Sequence, residues 1–380
     1  MAGLRDIHYH DSEYHRSQPV SCAGILGNRE RCPMTLIRKK GPPNPLVGWQ
    51  VDPATIRTIG GGLARPECIL AERDGSLWAA DARGGVVQIR PDGSQRLITP
   101  ADAGHSDLGA DQVPNLYEGT LPNGLAFARN GDLLIANFGT DALEVLTRDG
   151  KSRILCDRID GMPLGKVNFV LRDSRDRLWI TISTRINPWS KAICSRQADG
   201  YIALLDEKGP RVVAEGLVFA NEIRFDAKEE WLYVAETCAR RVTRLRVGAD
   251  GSLHDREVYG PSSLGSGAID GIAFDAYGNL WATMIFADAI VAITPEGDLL
   301  TLFEDGDREA TARFDAELDV GNPVTAETIG ATGGKIAPLL TSVTFGGPDL
   351  RTVYLGSLKG TTIPYFRSPV AGLPMIHWQE

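Results

Sequence analysis

The chain has 380 residues, of which 43% are hydrophobic, and its formal net charge at pH 7 is −9. This charge, with no basic block beyond Arg38-Lys39-Lys40, argues against a nucleic acid or an anionic membrane as a partner. No apolar run approaches the length of a membrane span, and the N-terminal residues are too polar for a secretory signal. We therefore expect a cytoplasmic protein.

The N-terminal end differs from the rest of the chain. Residues 1–50 contain three of the six histidines, including His8 and His10, and they finish in the proline-rich residues 41–45, which exclude regular structure. We interpret residues 1–50 as an extension and residues 51–380 as a single folded domain. The two histidines lack a third placed metal ligand, so a surface segment or partner contact is the favoured interpretation.

A segment that recurs six times dominates the remaining sequence. Each copy carries a small polar or acidic residue 11 or 12 positions before an aromatic or aliphatic residue, with an apolar, turn, apolar pattern between them. The six pairs are Glu67 and Trp78, Asn123 and Leu134, Asn168 and Trp179, Asn221 and Tyr233, Asp270 and Trp281, and Ser342 and Tyr354. Their first members lie 56, 45, 53, 49 and 72 positions apart, a period typical of propellers and solenoids.

The pattern within each copy predicts β-strands. Short alternating segments separated by Asp-Gly, Asn-Gly and Arg-Asp turns are hairpin signals, and no long stretch has the apolar spacing of a helix. The sequence therefore predicts an all-β fold, a six-bladed β-propeller with one blade per copy. Because each blade begins with its innermost strand, the first residue of every pair should converge on the central channel. Unpaired polar groups are costly there, which indicates that they bind something polar.

Two insertions interrupt the repeat. Residues 101–119, which include His105, precede the second blade, and residues 304–338 are rich in Asp, Glu, Gly and Ala. We interpret the second insertion as a loop or lid. The ring can be closed by a strand near residues 55–59 or by the C-terminal tail, and the sequence leaves this choice open.

The sequence does not favour a side-chain nucleophile. The six cysteines are scattered without a Cys-x-x-Cys pair, which favours reduced and buried thiols. Cys68 follows Glu67 directly, and because adjacent strand residues point to opposite faces, Cys68 should point into the blade. There is no Gly-x-Ser-x-Gly elbow, and His105 is possible as a base but not favoured.

Four of the repeated positions carry oxygen ligands. Glu67 and Asp270 supply carboxylates, and Asn168 and Asn221 supply amide oxygens. Such a set suits a hard divalent cation, whereas tetrahedral zinc usually takes histidine or cysteine. The alternative is that Asn and Asp serve strand-entry turns. Four such residues in register fit that alternative poorly, so the sequence predicts a central divalent metal site.

The segments around these residues resemble the family of senescence marker protein, gluconolactonase and luciferin-regenerating enzyme. The resemblance is carried by Arg65-Pro66-Glu67, Lys166-Val167-Asn168, Asn221, Ile269-Asp270-Gly271-Ile272 and Thr341-Ser342-Val343-Thr344-Phe345-Gly346-Gly347. The resemblance spans residues 66–360. It implies one divalent metal ion, with Ca²⁺ as the favoured ion and Mg²⁺, Mn²⁺, Zn²⁺ or Fe²⁺ as alternatives. The implied ligands are Glu67, Asn168, Asn221 and Asp270. Asp270 is also the implied catalytic acid/base residue.

Three positions depart from the pattern of the family. Phe169 stands where Asp often follows the third-blade Asn, Glu222 replaces Gly, and Lys166 stands where sugar-acid lactonases often have Arg. Lys166 keeps a cation for a substrate oxygen but lacks the bidentate fork of Arg. We expect Asn123, Lys166, Phe169 and Glu222 to contact the substrate. Further aromatic residues, either core or lining a less sugar-like pocket, are Phe138, Trp189, Phe219 and Phe286.

The resulting prediction is a hydrolase that opens a sugar-derived or other small lactone with metal-activated water. Asp270 would accept the proton of the water, and Lys166 and Asn123 would position the substrate. Hydrolysis of phosphotriesters or other esters at the same metal is one alternative. A non-catalytic binding propeller with a structural cation is another. The metal-free catalytic glutamate of strictosidine-synthase-like propellers fits the four matched ligands poorly, and the sequence leaves the oligomeric state open.

Overall fold

The computed structural model describes residues 43–100, 119–194 and 196–379. The histidine-rich start of the chain and most of the insertion at residues 101–119 lie outside these residues. The described chain forms six four-stranded antiparallel sheets and one two-stranded ribbon. The first strands of the six sheets contact one another in a closed ring, which makes them the innermost strands of six blades. The predicted all-β, six-bladed propeller is confirmed.

The strands follow one another blade by blade. After a 3-10 turn at Pro53–Thr55, β1 spans Arg57–Ile59 and belongs to the last blade. Blade one consists of β2 (Ile69–Ala71), β3 (Leu77–Asp81), β4 (Gly85–Ile89) and β5 (Gln95–Ile98). Blade two consists of β6 (Pro122–Phe127), β7 (Leu133–Asn137), β8 (Ala142–Leu146) and β9 (Ser152–Cys156).

A short ribbon precedes the third blade. It pairs β10 (Arg158–Ile159) with β11 (Met162–Pro163). Blade three consists of β12 (Val167–Arg172), β13 (Leu178–Ile182), β14 (Gly200–Asp206) and β15 (Gly209–Leu217), with a 3-10 turn at Trp189–Ala192. Blade four consists of β16 (Ala220–Phe225), β17 (Trp231–Glu236), β18 (Arg241–Val247) and β19 (Leu253–Tyr259), with a 3-10 turn at Thr237–Ala239.

The last two blades flank the second insertion. Blade five consists of β20 (Ala268–Phe274), β21 (Leu280–Ile285), β22 (Ala289–Ile293) and β23 (Leu299–Glu304). Blade six consists of β24 (Leu340–Gly346), β25 (Thr352–Ser357), β26 (Ile363–Arg367) and the early strand β1. A 3-10 turn at Ile376–Trp378 ends the described chain.

Strand β1 closes the ring. It pairs antiparallel with β26, so that Arg57 lies opposite Tyr365 and Ile59 lies opposite Ile363. Of the two closures left open by the sequence, the one through the segment at residues 55–59 is therefore used. The outermost strand of blade six comes from the beginning of the domain and its three inner strands come from the end. Unfolding of either end therefore opens the ring.

The residues just before β1 pack on blade five. Leu46 is buried in the same hydrophobic cluster as Trp281. The side-chain amides of Asn44 and Asn279 exchange hydrogen bonds of 2.6 and 3.2 Å. Residues 44–50, which the sequence assigned to the extension, thus contribute to the packing of the propeller.

A β-bulge interrupts the innermost strand at the repeated polar residue of five blades. The register shifts fall between Pro122 and Leu125, Val167 and Phe169, Ala220 and Ile223, Ile269 and Ile272, and Leu340 and Val343. The shifted segments contain Asn123, Asn168, Asn221, Asp270 and Ser342, respectively. Because a bulge takes a residue out of the ladder and re-aims its side chain, it allows these polar groups to face the channel.

The second insertion, interpreted from the sequence as a loop or lid, contains two helices that the sequence analysis did not predict. α1 spans Arg308–Val320 and α2 spans Ala326–Ala331. The Asp307 side chain caps the start of α1, and Gly321 ends it with a left-handed φ of 78°. No helix in the described part of the chain is long and apolar enough to cross a membrane.

Helix α1 has a narrow apolar side. Ala310, Phe314 and Leu318 are buried and follow at intervals of four residues. The ring of Phe314 packs on that of Phe286 at 4.2 Å between centroids. The other positions are mostly polar, which is why composition alone suggested a loop. This row of side chains packs α1 on the propeller, and Arg240 of blade four adds ion pairs of 2.9 and 2.7 Å to Asp315 and Asp319 of the helix.

Asp288 ties the end of this insertion to blade five. Its buried carboxylate accepts hydrogen bonds from the backbone N–H groups of Gly334, Leu339 and Leu340. Asp288→Ala leaves these donors without their acceptor, so we expect the free energy of unfolding to fall by about 3 kcal/mol. Denaturant unfolding measures this against Asp298→Ala, an exposed position of the same blade where a change below about 0.5 kcal/mol is expected. Equal free energies of unfolding for the two variants would contradict the anchoring role of Asp288.

Candidate active site

A cavity of about 80 Å³ lies at one end of the central channel. Its polar lining residues are Arg65, Glu67, Asn123, Asn168, Asn221, Thr237 and Asp270. Each lies near the start of an innermost strand or just after a second strand, which is the same end of an antiparallel blade. The structure thus brings together all four residues predicted to bind metal, together with Asn123 from the predicted substrate-binding set.

Four buried oxygens in this lining accept no hydrogen bond from the described part of the chain. They are Oε2 of Glu67, Oδ1 of Asn168, Oδ1 of Asn221 and Oδ1 of Asp270. An unpaired buried acceptor costs about 1–3 kcal/mol, so four in one place are costly unless a ligand satisfies them. All four atoms are acceptors, which restricts that ligand to a cation or a hydrogen-bond donor.

Burial also disfavours the negative charge of the two carboxyl groups. Burial raises the pKa of Glu67, and burial together with the charge of Glu67 raises the pKa of Asp270 well above its usual range. The guanidinium of Arg65 opposes both shifts. One guanidinium does not balance two buried carboxylates, so the site favours an additional positive charge.

The donor set fits a hard divalent cation. Ca²⁺ and Mg²⁺ are bound by carboxylate and amide oxygens, and two carboxylates match the charge of such an ion. No group of three or more histidine, cysteine, aspartate or glutamate side chains able to hold a metal occurs among the described residues. The four predicted metal ligands, called the polar ring together with Arg65, Asn123 and Thr237, do not form such a group. Two of the four unpaired oxygens belong to the amides of Asn168 and Asn221.

Asn123 connects three parts of the ring. Its Nδ2 donates to Oε1 of Glu67 and to the backbone carbonyl of Asn168, both at 3.1 Å. Its Oδ1 accepts a hydrogen bond of 2.7 Å from Arg65. The side chain therefore uses both ends within the protein and holds Glu67 so that the other carboxylate oxygen is left for a ligand.

Arg65 and Thr237 are the two polar residues of this lining that sequence analysis missed, and Arg65 is the charged one. Its buried guanidinium donates to Asn123 and, at 3.0 Å, to the carbonyl of Pro122, while its Nε has no partner in the described chain. Its φ of 57° lies in the left-handed region, where a bulky residue is strained. Arg65 belongs to a motif that carried the family resemblance, but it precedes β2 in irregular backbone, where strand alternation gives no side-chain direction.

The rest of the cavity is apolar. The lining residues are Phe138, Trp189, Ile193, Phe219, Ile285, Phe286, Ile329, Leu339 and Leu358. Four of the five aromatic residues considered from the sequence therefore face the cavity. The fifth, Phe169, packs in the hydrophobic core, with the guanidinium of Arg224 at 4.6 Å from its ring centroid.

Three residues predicted to contact substrate are not among the residues that line this cavity in the described chain. Lys166 forms an ion pair of 2.8 Å with Asp141. Glu222 is buried, pairs with Arg224 at 2.8 Å and contacts the innermost strand of blade five. Phe169 is the core residue described above. Their roles in substrate binding remain predictions.

Cys68 also lies away from the cavity lining. Its side chain is 1% exposed in the hydrophobic core, and its Sγ accepts a hydrogen bond of 3.4 Å from the backbone N–H of Leu125. Burial raises the pKa of this thiol well above its usual value. As predicted, Cys68 points into the blade, where its environment does not favour a nucleophilic thiolate.

The part of the chain that contains the site matches a known protein family. Residues 65–312, more than half of the chain, match the family model described as the SMP-30/Gluconolactonase/LRE-like region. The matched span contains every polar residue of the cavity lining.

Two curated relatives are named as lactonases. The chain is 24% identical over 183 residues to the 6-deoxy-6-sulfogluconolactonase of Pseudomonas putida. It is 28% identical over 228 residues to the pentonolactonase XacC of Haloferax volcanii. These alignments cover 46% and 57% of this chain, and 53% and 66% of the relatives. The chain thus spans less than two thirds of either relative.

A solved structure has the same fold. The calcium-binding protein regucalcin of Agrobacterium tumefaciens strain C58 is similar with a TM-score of 0.57 at 15% identity. The superposition covers 83% of this chain and 94% of that protein. The similarity supports the propeller architecture derived above.

Thr237 orients one of the unpaired oxygens. Its hydroxyl accepts a hydrogen bond of 3.1 Å from Nδ2 of Asn221, which leaves Oδ1 of that amide for a cation. We expect Thr237→Val to weaken Ca²⁺ binding roughly 10- to 100-fold, because the amide loses the partner that fixes its orientation. Calorimetric titration with Ca²⁺ measures the change in the dissociation constant. Thr237→Ser keeps the hydroxyl and should bind like the wild type; equal weakening in both variants would contradict the orienting role.

Proposed function

Because the chain belongs to the SMP-30/gluconolactonase/LRE-like family, we propose that it is a metal-dependent lactonase that opens a small lactone with water. The observation that carries this proposal is the set of four unpaired buried oxygens that converge on one cavity. The lactone as substrate class is supported by the two relatives that are named as lactonases.

We propose Ca²⁺ as the resident ion, bound by Glu67, Asn168, Asn221 and Asp270. An all-oxygen set with two neutral amides suits this ion, and the name of the similar regucalcin structure supports the same choice. Mg²⁺, Mn²⁺, Zn²⁺ and Fe²⁺ are the alternatives to be compared. When bound, such an ion would polarise the lactone carbonyl and lower the pKa of a neighbouring water.

The side chains of the cavity would carry the remaining steps. Asp270 is the proposed base that takes the proton of the attacking water, since its carboxyl group lines the cavity. Arg65 would donate its Nε–H, which has no partner in the described chain, to the oxygen that becomes negative as the lactone carbonyl is attacked. Asn123 would hold Arg65 and Glu67 in place through the hydrogen bonds described above.

A phosphotriester is the second candidate substrate. The apolar part of the cavity favours it, because a phosphotriester is uncharged and carries apolar ester groups. It would use the same ion and the same ring. Faster hydrolysis of paraoxon than of every lactone tested would select this function over lactone opening.

Removal of the metal tests the proposal directly. We expect exhaustive chelation followed by dialysis to abolish lactone hydrolysis, and Ca²⁺ to restore it, since the four oxygens then regain their ligand. Proton release in a weakly buffered assay measures the rate, with the other four divalent ions compared in parallel. Unchanged hydrolysis after chelation would contradict metal dependence. Tight Ca²⁺ binding without turnover of any lactone or ester would indicate a structural cation in a binding propeller.

Replacement of Asp270 tests its role as a base. Asp270→Asn keeps an oxygen ligand but no longer accepts a proton at neutral pH, so we expect kcat at saturating Ca²⁺ to fall by roughly 10²- to 10⁴-fold. Glu67→Gln also removes the charge of a ligand carboxylate. Its fold-decrease in kcat under the same conditions should be at least about ten times smaller than that of Asp270→Asn. Steady-state kinetics with Ca²⁺ affinities determined separately make the comparison. Equal losses in kcat would show that Asp270 acts only as a ligand.

A further inference from the structure

The nine apolar residues that line the cavity form its apolar wall, and this wall restricts which substrates can bind. Its nine residues come from blades two to six and from helix α2, so it surrounds the metal-binding ring rather than forming one patch. Ile329 contributes from α2, which places the second insertion beside the substrate space. The wall therefore extends over five of the six blades at the end of the propeller that carries the cavity.

The aromatic residues of the wall support one another. Phe138 packs edge-on against Trp189 at 5.1 Å between centroids, and Trp189 lies 6.4 Å from Phe219. The backbone carbonyl of Phe286 accepts a hydrogen bond of 2.8 Å from Thr311 of α1. These contacts hold the wall in place before a substrate arrives, which favours recognition of a defined apolar shape.

Among the described residues, the cavity lining has few hydrogen-bonding groups left for the hydroxyls of a sugar. Apart from the indole N–H of Trp189, no wall side chain carries a hydrogen-bonding group. In the polar ring, the amide of Asn123 is used within the protein, and Thr237 accepts from Asn221 and keeps one O–H donor. The Nε–H of Arg65 is assigned to the lactone carbonyl oxygen. The unpaired oxygens are assigned to the cation. A substrate hydroxyl that is buried against this wall would therefore lose its water partners without replacement.

Three of the four apolar residues with a left-handed backbone in the described chain belong to this wall. Phe219, Phe286 and Leu339 have φ values of 55°, 74° and 55°. Glycine or asparagine adopts this left-handed conformation at lower cost than a large apolar residue. The cost of keeping such residues at three wall positions points to a function for their side chains, because strain of this kind is concentrated at ligand sites.

We infer that the substrate is a small lactone with an alkyl or aryl substituent rather than a polyhydroxylated sugar lactone. This inference rests on the proposed lactonase function. The ring carbonyl would face the oxygen ring and Arg65, and the substituent would lie against Phe138, Trp189, Phe219 and Phe286. The two relatives are named for sugar-derived lactones, so the chain would differ from them in specificity while sharing the reaction.

The kinetic experiment compares lactones at saturating Ca²⁺. We expect kcat/KM for dihydrocoumarin and for δ-octalactone to exceed that for D-glucono-δ-lactone by at least about ten-fold. Preference for D-glucono-δ-lactone would overturn this inference and leave the lactonase function standing. Failure to open any lactone with any of the five cations would overturn the lactonase function and the inference with it.

Two substitutions locate the preference in the wall. Phe219→Asn and Phe286→Asn introduce a polar side chain that tolerates the left-handed backbone at these positions. Each should lower the ratio of dihydrocoumarin to gluconolactone kcat/KM by at least about five-fold. Leu350→Asn is the matched control, since Leu350 has a φ of 55° but lines a different cavity, and its ratio should equal that of the wild type. An unchanged ratio in both Phe variants would overturn the assignment to the wall.

A binding measurement keeps the test independent of turnover and of variant stability. The lactam 3,4-dihydroquinolin-2-one has the shape of dihydrocoumarin but resists hydrolysis, and D-glucono-δ-lactam is its sugar counterpart. Calorimetric titration of the wild-type protein should give at least about ten-fold tighter binding of the quinolinone. Tighter binding of the sugar lactam would overturn the inference.

Discussion

The central constraint on this structure is the cost of burying unpaired oxygens at one end of the channel. Glu67, Asn168, Asn221 and Asp270 each leave one oxygen without a hydrogen bond in the described chain. Burial also raises the pKa of both carboxyl groups. A protein gains nothing in stability from such an arrangement, since apolar residues would fill the channel at lower cost. The bulges, the ring closure and the hydrogen bonds of Asn123 all serve to hold this arrangement.

The two halves of the cavity divide the chemistry between them. The innermost strands and the residues next to their ends supply most of the polar ring. The closed propeller fixes these strands because each packs between two neighbours. The loops at the same end, helix α2 and the last residue of β21 supply the apolar wall. Loops vary with less effect on stability than strands do, so reaction and specificity reside on parts of the molecule with different tolerance for change.

The repeat predicted the strands and the ring, but it did not predict which neighbouring side chains face the cavity. Asn168 lines the cavity, whereas Phe169 lies in the core. Asn221 lines it, whereas Glu222 pairs with Arg224. Local bulges decide these directions, and a bulge depends on pairing with the next strand rather than on the residue itself. Helix α1 was missed for a related reason, since its short apolar row becomes informative only when its partner Phe286 is known.

The sequence by itself determined the fold class, the six blades and the four residues that converge, because a strand period and a repeat period are local properties of the chain. Tertiary structure decided the rest. It selected β1 to close blade six, turned Arg65 into the channel and surrounded the ring with aromatic residues from separate blades. These features depend on contacts between residues distant in sequence, and neither spacing nor composition records which distant groups meet.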